Sequence, residues 1–216
     1  MAEIQIFGAG GASYPWSARL VCEEKGVPHE FVQSDFRSEA YRTERHPYNK
    51  MPAMAHGDVA LFETTAILRY IDAAFDGPAL EPADAFGRAR MEQIVSAYKA
   101  YMYEDFVPAY LLKYLFAKDG VVDRAAVDAA LPAVEKHLGV LDDLHTGSPW
   151  FVGDSPTLAD LVAGPVLVYL DLKTPEGHDM IRARRKLAGL VDALFARASL
   201  QATLPPPLKA HALAAQ

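Results

Sequence analysis

Four residues in the first third of the chain have groups that could hold a small peptide by its ends. Met51 precedes Pro52 in a turn, and its backbone N–H and C=O could pair in antiparallel fashion with an extended peptide. Glu63 could bind an amino group. Thr64 begins a predicted apolar helix, and helix N-termini bind carboxylates because their N–H groups and dipole favour anions. The pattern indicates a clamp for a peptide with a free amino and a free carboxylate group.

Two basic residues precede the clamp. Lys50 could reach a second carboxylate, and His46 is a further candidate for the same contact. Each clamp residue also has a purely structural interpretation. Glu63 could simply favour a helix N-terminus, Pro52 could be an ordinary turn proline, and Lys50 could be a solvated surface lysine. His46 could be a local structural histidine.

Alternating strand and helix signals surround these residues. Short stretches rich in branched and aromatic residues predict strands, and apolar residues at helical spacing predict helices between them. The expected strands are 3–7, 27–33, 51–54 and 59–62, and the expected helices are 13–25, 36–45 and 65–75. Ser13 is a plausible N-cap of the first helix. The order βαβ followed by αββα indicates an α/β mixed sheet of thioredoxin-like type.

The rest of the chain has helical patterns and little strand signal. We expect a helical stretch over 88–115 that Pro108 interrupts, and a second over 123–144 with a possible boundary at Pro132. A buried helix over 154–171 has a capping-box pattern at Thr157 and Asp160, and a last long helix covers 179–199. The predicted domains are 1–77, a linker at 78–86 with Gly-Pro signals, and an all-α C-terminal helical domain at 87–216.

Composition narrows the range of partners. A net charge of −7 argues against nucleic acid, which needs clustered Lys and Arg. We expect no membrane segment, because no apolar run reaches about 20 residues, and no signal peptide. Cys22 is the single cysteine and cannot form an intrachain disulfide. The seven histidines have no metal-ligand spacing. A cytoplasmic protein without a metal is the expectation.

Several motifs resemble those of the cytosolic glutathione S-transferase family, over nearly the whole chain. The segment 19–28 is similar to the end of the family's first helix, and Met51-Pro52 resembles its cis-proline turn. Residues 63–67 resemble its Glu-Ser-x-Ala-Ile motif with Thr for Ser, and residues 150–160 resemble the capping motif of its helical domain. The resemblance is to serine-type, bacterial-like members related to the theta, phi and zeta classes.

The resemblance implies that glutathione is the co-substrate and that the clamp holds it. Glu63 would bind its α-amino group, Thr64 its α-carboxylate and Met51 its cysteinyl unit, while Lys50 or His46 would bind the glycine carboxylate. The reaction needs a thiolate, and lowering a thiol pKa of about 8.5 by about two units requires roughly 2.7 kcal/mol. A hydroxyl in the first turn of the first helix could supply this by one hydrogen bond to the thiolate. Ser13 is the predicted donor, because Ser13-Tyr14-Pro15 resembles the family's Ser-x-Pro; the alternatives are Tyr14 and Ser17.

The implied reaction is attack of the thiolate on a hydrophobic electrophile, as in detoxification. A pocket between the two domains is expected to include Trp16, Tyr101, Phe106 and Tyr110. The resemblance also implies a homodimer. Two alternatives remain open: a glutathione-dependent isomerase or dehalogenase with the same site, and a non-catalytic member that acts as a binding or scaffold protein. A cysteine at the start of the first helix would indicate a glutathione-dependent thiol reductase. Cys22 lies instead near the end of that helix, which indicates a buried structural thiol.

Overall fold

A computed structural model describes residues 3–209 and divides the chain into two compact units. The first unit covers residues 3–80 and 197–209, and the second is Glu81–Ala196. This division differs from the predicted domains at the chain end, because residues 197–209 belong to the first unit. The linker is also shorter than predicted, because the next helix begins at Ala85.

The first unit has one four-stranded sheet with the order β2-β1-β3-β4. Strands β1 and β2 are parallel, whereas β1–β3 and β3–β4 are antiparallel, so the predicted thioredoxin-like sheet is confirmed. Helices α1 and α3 pack against each other beside the sheet. The elements are β1 Ile4–Gly8, α1 Ser13–Lys25, β2 His29–Gln33, α2 Glu39–Glu44, β3 Ala53–His56, β4 Val59–Phe62 and α3 Thr64–Ala74. After the second unit, α10 Ala198–Thr203 returns to pack on α1.

Local chemistry explains the ends of these elements. Helix α1 ends at Gly26, whose φ of 65° is the left-handed conformation typical of a helix C-cap. Helix α2 begins after Ser38, whose hydroxyl accepts a hydrogen bond from Tyr41 N at 3.1 Å. One expectation is wrong: Ser13 is not the N-cap of α1. Ala12 has that position, without a side-chain cap, and Ser13 is the first helical residue.

The second unit is helical throughout its regular elements, as predicted. Its helices are α4 Ala85–Ala97, α5 Leu112–Leu115, α6 Arg124–Leu144, α7 Leu158–Lys173, α8 Pro175–Arg182 and α9 Arg185–Phe195. Helix α7 is buried over most of its length and supplies the centre of the core. Its predicted capping box is present: the Asp160 carboxylate accepts hydrogen bonds from Thr157 N and Oγ1 at 2.7 and 2.8 Å.

Three details of the helical prediction are wrong. Pro108 does not end the helical run, because it lies in the π-helical turns Asp105–Leu111, which accommodate a proline without the usual i→i−4 bond. Pro132 lies inside α6. The expected helix 179–199 is divided among α8, α9 and α10, because the backbone at Arg184 and at Arg197 is extended.

Candidate functional site

The register of the sheet brings the predicted clamp together at one end. Ala53, the first residue of β3, pairs with Phe7 of β1 on one side and with Phe62 of β4 on the other. The residues just outside these pairs are therefore neighbours: Pro52 before β3, and Glu63 after β4. The loop from β1 to α1 leaves the sheet at the same end, because β1 runs antiparallel to β3.

The turn before β3 has the predicted form. The Met51–Pro52 peptide bond is cis. Pro52 is buried and Met51 is half-buried. The Met51 sulfur accepts a hydrogen bond from the backbone N–H of Ala9, with 3.3 Å between the two atoms. This contact ties the Met51 turn to the glycine-rich loop that leads into α1.

Glu63 has an unusual backbone conformation. Its φ is 71° and its ψ is 118°, a combination that non-glycine residues rarely adopt and that costs about 1–3 kcal/mol. Its side chain is exposed, and Thr64 directly after it is buried and is the first residue of α3. Strained residues of this kind concentrate at functional sites. This conformation places the exposed Glu63 carboxylate beside a helix N-terminus. The carboxylate suits the amino group of an amino acid, and the helix N-terminus suits its carboxylate group.

His46 is almost fully buried, at 2% exposure. Burial lowers its pKa, Glu63 opposes that shift and Lys50 adds to it. Its Nδ1 accepts a hydrogen bond from Tyr48 N at 3.3 Å, and its ring lies 4.9 Å from that of Phe62. These features favour a neutral imidazole that supports the loop. Exposed Lys50 is the better candidate for a carboxylate contact.

Of the three candidate hydroxyls, that of Ser13 has the surroundings that best suit contact with a ligand. It is 5% exposed, and its Oγ has no hydrogen-bond partner among residues 3–209. Buried hydroxyls are usually satisfied, so this one is available to a ligand. The two alternatives are less suitable. Ser17 is fully buried and its hydroxyl donates to the Ser13 carbonyl at 3.2 Å. Tyr14 is half-buried and makes other contacts.

Three of the four expected pocket residues lie inside the protein, which corrects that prediction. Trp16 is 1% exposed, and its indole Nε1 donates to Thr203 Oγ1 at 2.8 Å. Phe106 and Tyr110 are fully buried. The Tyr110 hydroxyl donates to Glu176 at 3.1 Å and accepts from Gly177 N at 3.1 Å, so its polar end is already paired. Tyr101, by contrast, is 72% exposed.

Cys22 has the expected structural role. It is fully buried, and burial raises the pKa of its thiol to about 12. A reactive thiol needs a lowered pKa and access to solvent. The structure therefore gives no support to a thiol reductase that uses this residue.

Sequence reasoning missed Asn49. Its φ of 51° lies in the left-handed region that Asn tolerates better than most residues. Its Oδ1 is buried and has no hydrogen-bond partner in the described part of the chain. Asn between Tyr48 and Lys50 was a readable turn signal.

Within residues 3–209 we find no helix long and apolar enough to cross a membrane, and no group of three metal-binding side chains.

Comparison with known proteins identifies relatives in sequence and in structure. The family model "Glutathione S-transferase, N-terminal domain" matches residues 2–73, and "Glutathione S-transferase, C-terminal domain" matches residues 121–193. A probable glutathione S-transferase of Solanum tuberosum is 29% identical over 80% of this chain and 75% of its own. Glutathione S-transferase 3 of Zea mays is 27% identical over 96% and 98%. The apo structure of glutathione S-transferase III superimposes with a TM-score of 0.78 and 27% identity, over 95% and 100%.

Proposed function

Because this chain belongs to the cytosolic glutathione S-transferase family, we propose that it transfers glutathione to an electrophilic, partly apolar molecule, with Ser13 as the residue that stabilises the glutathione thiolate. The family matches and the names of the relatives support transferase activity.

The observation that carries the assignment is the unpaired Ser13 hydroxyl in the first turn of α1. A buried hydroxyl without a partner is destabilising, and a thiolate in front of it would accept its hydrogen bond. A hydrogen bond to a charged group contributes about 1.5–3 kcal/mol, and the helix N-terminus adds up to about 1–2 kcal/mol. Together these exceed the roughly 2.7 kcal/mol that lowers a thiol pKa by about two units. No general base is required.

The clamp at the end of the sheet suits the rest of glutathione. Exposed Glu63 would bind the α-amino group, and Thr64 with the N-terminus of α3 would bind the α-carboxylate. The Met51 backbone, just before the cis peptide bond to Pro52, would form hydrogen bonds with the cysteinyl unit. Lys50 would bind the glycine carboxylate by charge.

The electrophile site, the oligomeric state and the compartment belong to this proposal as well. Of the four expected pocket residues, exposed Tyr101 stays a candidate for contact with the second substrate. A homodimer and a cytoplasmic location are expected from the family resemblance. The electrophile would be apolar in part, since the family reaction joins a polar thiol to an apolar molecule.

The test is conjugation of glutathione to a chloronitroaromatic electrophile by the wild type and three variants. Ser13→Ala removes the proposed donor, while Tyr14→Phe and Ser17→Ala remove the alternative hydroxyls. We expect Ser13→Ala to lose about tenfold to hundredfold in kcat/KM, as one hydrogen bond to a charged group predicts, and the other two to lose less than about threefold. Retention on immobilised glutathione by all four proteins separates loss of chemistry from loss of binding. Absence of both binding and turnover in the wild type would support a non-catalytic family member instead.

A further inference from the structure

The chain end from Arg197 to 209 packs on the helix that carries Ser13, although the sequence predicted it as part of the helical domain. Arg197 binds the Glu24 carboxylate in the last turn of α1 through two nitrogens, of which Nε lies 2.5 Å from Oε1. The Ser199 hydroxyl donates to the same carboxylate. Four residues after Ser199, Thr203 accepts the hydrogen bond from the Trp16 indole in the first turn of α1. The returning segment therefore holds both ends of one helix.

We propose that Thr203 is a positioning residue for thiolate stabilisation: through the buried Trp16 indole it fixes the first turn of α1, and with it the Ser13 hydroxyl. This inference rests on the proposed role of Ser13. It assigns part of the activating machinery to a residue 190 positions away in the sequence.

The geometry of α1 connects Trp16 to Ser13. Residues three apart in a helix lie one above the other on the same face, so a rotation of α1 that moves Trp16 moves Ser13 with it. The opposite side of the turn is fixed by the close contact between Pro15 and Gly8 of β1. The sheet and the Trp16–Thr203 hydrogen bond are thus two restraints on one turn.

The Thr203 hydroxyl forms hydrogen bonds both as a donor and as the acceptor of the indole N–H. It donates to the Ser199 carbonyl at 2.8 Å, which orients its lone pairs toward the indole N–H. Trp16 and Thr203 are both 1% exposed, so water does not replace either partner. Hydrogen-bond strength falls steeply with distance and angle. A small displacement of Ser13 would therefore weaken its bond to the thiolate more than it would weaken glutathione binding by the clamp.

The experiment measures the pKa of the thiol of bound glutathione, from the ultraviolet absorbance of the thiolate, and the pH profile of kcat/KM. Thr203→Val removes the acceptor while keeping the side-chain shape, and Thr203→Ser keeps the hydroxyl. Thr174→Val is the matched control, because Thr174 is a buried threonine of the second unit whose hydroxyl likewise donates to a helix carbonyl, that of Leu170, at 2.7 Å.

We expect Thr203→Val to raise the bound thiol pKa by at least about half a unit, a threefold smaller thiolate fraction below that pKa. Thr203→Ser and Thr174→Val should keep the wild-type value. Trp16→Phe removes the same hydrogen bond from the other side and should reproduce the valine shift, which keeps the test open if Thr203→Val does not fold. An unchanged pKa in Thr203→Val, or an equal rise in Thr174→Val, would overturn the positioning role. An unchanged pKa in Ser13→Ala would instead overturn the proposed function beneath it.

Discussion

Gly8, the last residue of β1, lies directly against the ring of Pro15 in the first turn of α1. A β-carbon built on Gly8 would be 2.7 Å from Pro15 Cγ, closer than two carbon atoms can approach without a shift. Glycine is needed at position 8 because there is no space for a side chain. Its backbone conformation is one that other residues can adopt. The contact sets how near the helix that carries Ser13 comes to the end of the sheet where Met51 and Glu63 meet.

Gly8→Ala should push the first turn of α1 away from the sheet. We expect a loss of about 1–3 kcal/mol in the free energy of unfolding from overpacking, and a fall in kcat/KM because Ser13 moves with Pro15. Denaturant unfolding and steady-state conjugation kinetics measure the two effects. Gly139→Ala in α6 is the matched control, because a β-carbon there meets nothing within 4 Å. It should stabilise the protein by about 0.5–1 kcal/mol without affecting kinetics.

Substitutions at Glu63 should separate backbone strain from binding. Glu63→Ala and Glu63→Gly both remove the carboxylate, so both should raise the KM for glutathione about tenfold to hundredfold, as loss of a hydrogen bond between charged groups predicts. Glycine adopts a φ of 71° freely, whereas alanine does not. Glu63→Gly should therefore be more stable than Glu63→Ala by about 1 kcal/mol. Equal stability of the two variants would mean that the conformation is not strained, and an unchanged KM would remove Glu63 from the site.

The ion pair between Arg197 and Glu24 should be important for stability. The Glu24 side chain is 3% exposed, and removal of its partner leaves a buried charge unpaired. We expect Arg197→Met to lower the free energy of unfolding by about 2–4 kcal/mol. The exposed pair of Arg42 and Glu39 is the comparison, and Arg42→Met should cost less than about 1 kcal/mol. Urea unfolding of both variants decides the matter; similar small losses would show that the chain end is not held through Glu24.

Asp160 should make stability depend on pH. Burial raises its pKa from 3.8 to about 6, against the effect of its hydrogen bonds from Phe151 N and Thr157. Since the folded pKa exceeds the unfolded one, the folded state binds the extra proton, and the contribution to stability is complete below about pH 4 and is lost as the pH rises through 6. Relative to Asp160→Asn, the wild type should lose about 1–3 kcal/mol of unfolding free energy over that range. Parallel pH–stability curves for the two proteins would contradict the raised pKa.

Local signals predicted much of this structure. Branched and aromatic runs identified all four strands, Gly26 identified the end of α1, and Thr157 with Asp160 identified the start of α7. Each of these depends on a few neighbouring residues, which is why sequence reasoning reached them. The proximity of Met51 and Glu63 could also be predicted from the hairpin, because antiparallel pairing of β3 and β4 leaves the two residues at the same end of the sheet.

Long-range packing decided what the sequence did not predict. The aromatic character of Trp16 indicated a pocket wall, but Thr203, distant in the chain, covers it. The proline rule predicted a break at Pro108, whereas the backbone around it forms π-helical turns. The chain end looked like a continuation of the helical domain because nothing in residues 179–199 shows that Arg197 will turn toward buried Glu24.

The proposed function depends on stabilisation of the thiolate of bound glutathione by the Ser13 hydroxyl. The most direct measurement is a pH titration of the bound thiol by ultraviolet absorbance, in the wild type and in Ser13→Ala, with glutathione saturating both. We expect a wild-type pKa about two units below the free thiol value of about 8.5 and a rise of about 1–2 units in the variant. The same low pKa in both proteins would contradict it and would move the source of activation elsewhere in the site.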